Sequence, residues 1–84
     1  MATTTNLEMQ KVKAKLYSTK FCHLCEEAEE IIRHAGLTAT IIDIAEDDNL
    51  FEKYSIRNPV LQRIDNNAEL HWPFDAVTVL RFLA

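Results

Sequence analysis

The chain has 84 residues, 48% apolar and 26% charged, the balance of one small globular domain. Its formal net charge of −4 argues against nucleic acid, which needs basic clusters; Lys11, Lys13 and Lys15 form the single such cluster and alternate as one solvated strand face. No apolar run approaches the ~18–20 residues of a membrane span. Met1 to Gln10 has neither the basic start nor the apolar core of an export signal, so a cytoplasmic location with mostly reduced thiols is expected.

Met1 to Gln10 is polar, threonine-rich and without period, and is expected to be a disordered tail (1–10) ahead of a single domain over residues 11–84. Val12, Ala14 and Leu16 alternate with Lys13 and Lys15, the two-residue period of a strand that runs to Ser18. After a short loop to Phe21, Leu24, Ala28, Ile31, Ile32 and Ala35 fall on one helical stripe. Glu29 and Arg33 are spaced to pair at i,i+4, and Gly36, the single glycine, stands where a left-handed cap ends a helix. Thr38 to Ile44 is β-branched and reads as a second strand, which the helical crossover makes parallel to the first.

Glu46, Asp47 and Asp48 supply a helix start, with Leu50, Phe51 and Tyr54 as its apolar face, and Asn58-Pro59 breaks the chain. Val60 to Ile64 and Ala68 to Trp72 read as two strands joined by a two-residue turn at Asn66-Asn67, since asparagine tolerates positive φ. Pro73 ends the last strand, and Asp75 caps a final helix carrying Val77, Leu80 and Leu83. The order β-α-β-α-β-β-α predicts an α/β protein with a four-stranded mixed sheet flanked by three helices. Its site is expected at the carboxyl end of the first strand.

That is where Cys22-His23-Leu24-Cys25 lies, two thiols separated by two residues and placed between a strand and a helix. Structural zinc needs four ligands, and only two cysteines are present; His23, His34 and His71 are the histidines available, and His23 sits between the thiols. The haem-attachment pattern needs histidine directly after the second cysteine, where Glu26 stands. A redox pair is the reading that matches the strand–helix context. Cys22, at the helix start, is the expected nucleophile, its thiolate favoured by free N–H groups and the dipole. Cys25, one turn in and near the apolar stripe, is the expected resolving thiol. Lys20 and His23 add positive charge there, and Glu26 and Glu27 oppose it.

Lys20-Phe21-Cys22-His23-Leu24-Cys25, with its flanking strand and helix, resembles the active-site loop of glutaredoxins in the thioredoxin superfamily. Ile56-Arg57-Asn58-Pro59-Val60 resembles the superfamily's cis-proline loop. Cys-His-Leu-Cys-Glu-Glu, then Pro-Val-Leu, then Trp-x-Phe-Asp is similar to a glutaredoxin-like subfamily of small proteins, and the match covers about residues 12–84. The resemblance implies a thioredoxin-like fold and thiol–disulfide exchange on a disulfide-containing protein or small thiol substrate. It implies a monomer with no bound cofactor and no metal, glutathione being a candidate electron donor. It makes Pro59 cis and packed on the disulfide, with Asn58 backbone groups pairing to a bound thiol peptide. Lys20 matches the lysine that pairs with the glutathione carboxylate, and Asp75 stands where the γ-glutamyl amine is held, although capping alone also accounts for it.

Three departures bear on function. Where glutaredoxins carry a Gly-Gly pair before the last helix that lets glutathione approach the backbone, this chain has the bulkier His71-Trp72-Pro73-Phe74, a departure that counts against glutathione binding. His23 replaces the usual proline of the motif. Leu16 stands where thioredoxins carry a buried acid, leaving Glu26 as the nearest substitute. The alternative function is therefore a redox-responsive binding module that recognises a partner through Trp72, Phe74 and the proline loop. Tyr17 and Trp72 read first as packing residues.

Overall fold

The computed structural model describes residues 12–84; the tail expected over residues 1–10 lies outside the described residues. Strand β1 (Ala14–Ser18) leads into helix α1 (His23–His34), strand β2 (Thr40–Asp43), a 3-10 turn (Ile44–Glu46) and helix α2 (Asp48–Tyr54). Strands β3 (Val60–Arg63) and β4 (Glu69–His71) and helix α3 (Ala76–Phe82) complete the chain. The sheet order is β2-β1-β3-β4, with β1 parallel to β2 and the β1–β3 and β3–β4 pairs antiparallel. The four-stranded mixed sheet with three helices is the expected architecture, and the parallel pair is the one joined by a helix, as a crossover requires.

The period-two alternation of β1 divides the core. Ala14 and Leu16, with Leu61, join Ala28, Ile32, Leu37, Phe74, Val79 and Leu83 in a cluster beneath α1 and α3. Tyr17 points the other way and packs with Ile44, Tyr54 and Val60 beneath α2. Burial of each large apolar side chain contributes about 1.5–3 kcal/mol. Leu16, Leu61 and Leu83 are fully buried, so these layers fix how α1 is held against β1.

Helix α1 ends as the sequence implies. Gly36 adopts φ 77°, Gly36 N–H donates to Arg33 O (3.0 Å) and Leu37 N–H donates to Ile32 O (3.1 Å). That pairing is a Schellman cap, and it turns Leu37 down into the core. Its buried face is centred on Cys25, Ala28 and Ile32, so Leu24, expected on the stripe, is exposed. Arg33 pairs with Glu30 (3.0 Å), one residue on from the expected Glu29, because i,i+3 and i,i+4 neighbours are about equally near.

In α3, Val79 is buried and Val77 is exposed, with the C-cap Leu83 also buried, and in α2, Phe51 is exposed while Tyr54 is buried. In each case the face turned to the sheet is set by packing partners far along the chain. The hairpin also differs from expectation. Arg63 N–H donates to Ala68 O (2.9 Å), so the loop spans residues 64–67 and exceeds two residues. Asn67 alone takes positive φ (61°), and Asn66 Oδ1 accepts from Ala68 N–H (2.9 Å). The asparagine chemistry is as read, but the turn is wider and the strands shorter. Ile64, expected in β3, instead donates its N–H to Lys13 O (3.0 Å).

Candidate functional site

Cys22 is the N-cap of α1, with extended φ and ψ, and its Sγ accepts from Cys25 N–H at 3.1 Å. An N-cap normally spends a side-chain oxygen on this donor; here a sulfur takes the place. The two cysteines are paired as a disulfide with a Cα–Cα distance of 5.2 Å, inside the range a disulfide spans without backbone movement. Cys22 is half-buried and Cys25 is buried beneath the first turn, so only the first sulfur is open to a partner. The loop before the pair carries Phe21 fully exposed at φ 58°, a left-handed conformation that an aromatic side chain rarely adopts.

Asn58-Pro59 sits opposite the sulfurs. The Asn58–Pro59 peptide is cis, and Pro59 is buried. Asn58 Nδ2–H donates to Tyr54 O and Ser55 O (3.0 Å each), the last carbonyls of α2, and its backbone N–H donates to Tyr54 O (2.9 Å). Carbonyls only accept, so these bonds aim Nδ2 at α2 and turn Oδ1 toward the sulfurs. Oδ1 lies 3.1 Å from Cys25 Sγ and 3.6 Å from Cys22 Sγ. The sequence marks Asn58 through its neighbour Pro59; nothing local signals that its side chain reaches a cysteine 33 residues away.

The other expected site residues are spread around this centre. Lys20 is exposed and, with Phe21, Cys22 and Cys25, lines a groove of about 550 Å³ that also holds Glu26, Glu29, Asp43 and Glu46. His23 is exposed and lies 3.4 Å from Glu27 Oε2, one turn along α1. Asp75 caps α3: its Oδ1 accepts from Thr78 N–H (2.8 Å) and Thr78 Oγ1–H (2.7 Å). Those bonds, backbone donor first, hold its carboxyl below the usual carboxylate range. Among the described residues, no three His, Cys, Asp or Glu side chains are grouped to hold a metal ion.

Behind the site, Tyr17 and Tyr54 stack at 4.4 Å between ring centroids. Tyr17 donates to Gln62 Oε1 (2.6 Å) and Tyr54 donates to Glu69 Oε2. Burial, and then the bond to Glu69, push the Tyr54 hydroxyl well above its ordinary 10.0. Tyr17 is thus wall packing with its hydroxyl already engaged. Trp72 packs edge-on against Phe74 (5.1 Å) over the larger core, and the Trp72–Pro73 peptide is also cis, which nothing in the sequence indicated.

A mixed sheet in the order β2-β1-β3-β4, three flanking helices, and a close thiol pair opening α1 beside a cis-proline loop together define a thioredoxin-like fold of the glutaredoxin type. The glutaredoxin-like domain (DUF836) profile matches residues 13–84, and the chain belongs to that family. It is similar to the X-ray structure of protein XcR50 from X. campestris at 35% identity and TM-score 0.76, covering 83% of this chain and 93% of that one. The solution structure of XcR50 gives 35% identity and TM-score 0.74, covering 83% and 90%. Protein Ne2328 from Nitrosomonas europaea is similar at 27% identity and TM-score 0.66, covering 87% and 92%. No curated protein matches the chain. No described helix is long and apolar enough to cross a membrane.

Proposed function

We propose that this protein is a thiol–disulfide oxidoreductase working by dithiol exchange, with Cys22 as nucleophile and Cys25 as resolving thiol. The observation that carries the reading is the capping role of Cys22, whose sulfur faces the Cys25 N–H at 3.1 Å and the positive end of the α1 dipole. Both favour the thiolate, the attacking species. The Cys22 thiolate, its proton released to solvent, attacks one sulfur of a substrate R–S–S–R′; that bond breaks, and R′–S⁻ leaves with the electron pair and is protonated. Cys25 then releases its proton, its thiolate attacks Cys22 Sγ, and R–S⁻ leaves and is protonated. Two electrons and two protons reach the substrate. The resulting Cys22–Cys25 disulfide is reduced again by an external thiol such as glutathione, which acts as donor rather than bound cofactor.

Lys20 and His23 would meet an anionic portion of the substrate, and the Asn58-Pro59 loop would form its shelf. The setting is a cytoplasmic monomer acting on a disulfide-containing protein or a small thiol substrate, without nucleic acid or membrane. The test is trapping: Cys25→Ser accumulates a mixed disulfide with an offered disulfide substrate, and adding Cys22→Ser abolishes it. Trapping that survives loss of Cys22 overturns the assignment of roles.

A second reading, a redox-responsive binding module without significant turnover, is favoured by the exposed Phe21, Leu24 and Ile56 near the thiol pair and proline loop. Catalytic reduction of a small glutathione mixed disulfide removes it.

A further inference from the structure

We propose that the side-chain amide of Asn58 keeps the two thiols chemically distinct, its Oδ1 accepting the Cys25 S–H in the reduced protein so that the proton stays on the resolving sulfur. The inference rests on the redox reading of Cys22 and Cys25 and adds a residue to it. The geometry is specific. Asn58 Nδ2 is fixed by Tyr54 O and Ser55 O, so the amide cannot rotate to offer a donor to the sulfurs without losing both bonds. Oδ1 therefore presents lone pairs to Cys25 Sγ at 3.1 Å, nearer than to Cys22 Sγ at 3.6 Å. Cys22 faces the opposite chemistry, a backbone N–H donor at 3.1 Å.

An acceptor favours the protonated form of its neighbour and a donor favours the ionised form, so one amide oxygen and one amide N–H polarise the pair in opposite senses. The consequence is thermodynamic as well as kinetic. In the dithiol, Cys25 S–H satisfies Oδ1; in the disulfide no sulfur carries a proton, and Oδ1 faces them without a donor. Asn58 thus stabilises the reduced pair and makes the protein a weaker reductant. In the mixed disulfide it holds back the Cys25 thiolate, prolonging the life of the bound substrate. When Cys25 does attack, its proton leaves and the departing substrate thiolate takes one up, so the step remains balanced.

The experiment compares Asn58→Leu and Asn58→Asp in the full chain by redox equilibrium against glutathione. Removing one hydrogen bond of ordinary strength with Asn58→Leu shifts the equilibrium constant toward disulfide by about fivefold, which is about 20 mV more reducing for a two-electron couple. Asn58→Asp, a stronger acceptor, shifts it the other way. Shifts in the same direction for both variants, or none for Asn58→Leu, overturn the proposal, since simple damage to the α2 terminus has no reason to change sign. A second measurement stands apart from folding of the aspartate variant. In a Cys22→Ser background, thiolate absorbance titrates Cys25 alone, and Asn58→Leu lowers its pKa; an unmoved pKa overturns the proposal. Neither measurement uses turnover, so a protein inactive toward every substrate tried still tests Asn58.

Discussion

Asp75 shows how one carboxylate can carry two readings and how they separate. Its Oδ1 already accepts from the Thr78 N–H and hydroxyl, so capping alone accounts for its placement and its lowered carboxyl pKa. Asparagine caps as well as aspartate does. Asp75→Asn is therefore expected to leave both thermal stability and the exchange rate with glutathione disulfide unchanged, whereas Asp75→Ala lowers stability. A fall in that rate of about tenfold for Asp75→Asn, at unchanged stability, is what loss of a charge-assisted contact to a ligand amine would give. Steady exchange kinetics beside a melting curve decide it. At this scale the sequence was readable wherever a rare residue type carried the chemistry. The Cys22/Cys25 spacing and Asn58-Pro59 stood out locally. The amide of Asn58 did not, because its contact with Cys25 exists only once α1 and the proline loop are brought together.

Strand β4 reaches the site through a polar network that ties it to α2. Burial alone pushes the Glu69 carboxyl up, but hydrogen bonds from Tyr54 and His71 and the charges of Lys53 and His71 outweigh it, leaving the group below its ordinary 4.5. A folded-state pKa below the unfolded one means the unfolded chain binds the extra proton. The network's contribution is thus complete above pH 4.5 and is lost as pH falls through the lowered folded value. Tyr54 behaves oppositely: its contribution is present below pH 10.0 and is lost as pH rises above that. Denaturant midpoints across acid pH are expected to fall less steeply for Glu69→Gln than for the parent, and equal slopes would count against this account. Tyr54→Phe is expected to cost about 1.5–3 kcal/mol at neutral pH, the range for a bond to a charged partner. None of this network was legible in the sequence, since Tyr54 and Glu69 lie on different elements and meet only once α2 packs onto the sheet. Elements themselves were legible where their period is local, as in β1 and the Gly36 cap of α1. The faces of α2 and α3 were not, because Phe51 against Tyr54 and Val77 against Val79 are decided by which neighbour covers them.

Charge is the property of the whole molecule that bears most directly on what it meets. The chain carries −4, and among the described residues the groove running from the sulfurs along α1 holds Glu26, Glu29, Asp43 and Glu46 against Lys20. Such a field raises the local concentration of cationic partners and lowers that of anionic ones, an effect that salt screens over a Debye length of about 8 Å at physiological strength. Oxidised glutathione is a net anion at neutral pH, so it approaches against this field. A disulfide flanked by lysines approaches with the field. Raising salt from about 0.02 to 0.5 M is therefore expected to slow reduction of a lysine-flanked peptide disulfide by roughly threefold to tenfold and to speed reduction of oxidised glutathione. Stopped-flow rates of the reduced protein with both substrates, read at single turnover, measure the two slopes directly. Slopes of these two signs assign the preference to the acidic surround. The reversed signs, salt slowing oxidised glutathione and speeding the lysine-flanked peptide, would mean that Lys20, close to the sulfurs, governs approach in place of the acidic surround, and Lys20→Gln would then slow glutathione disulfide selectively. Parallel slopes would overturn the charge account.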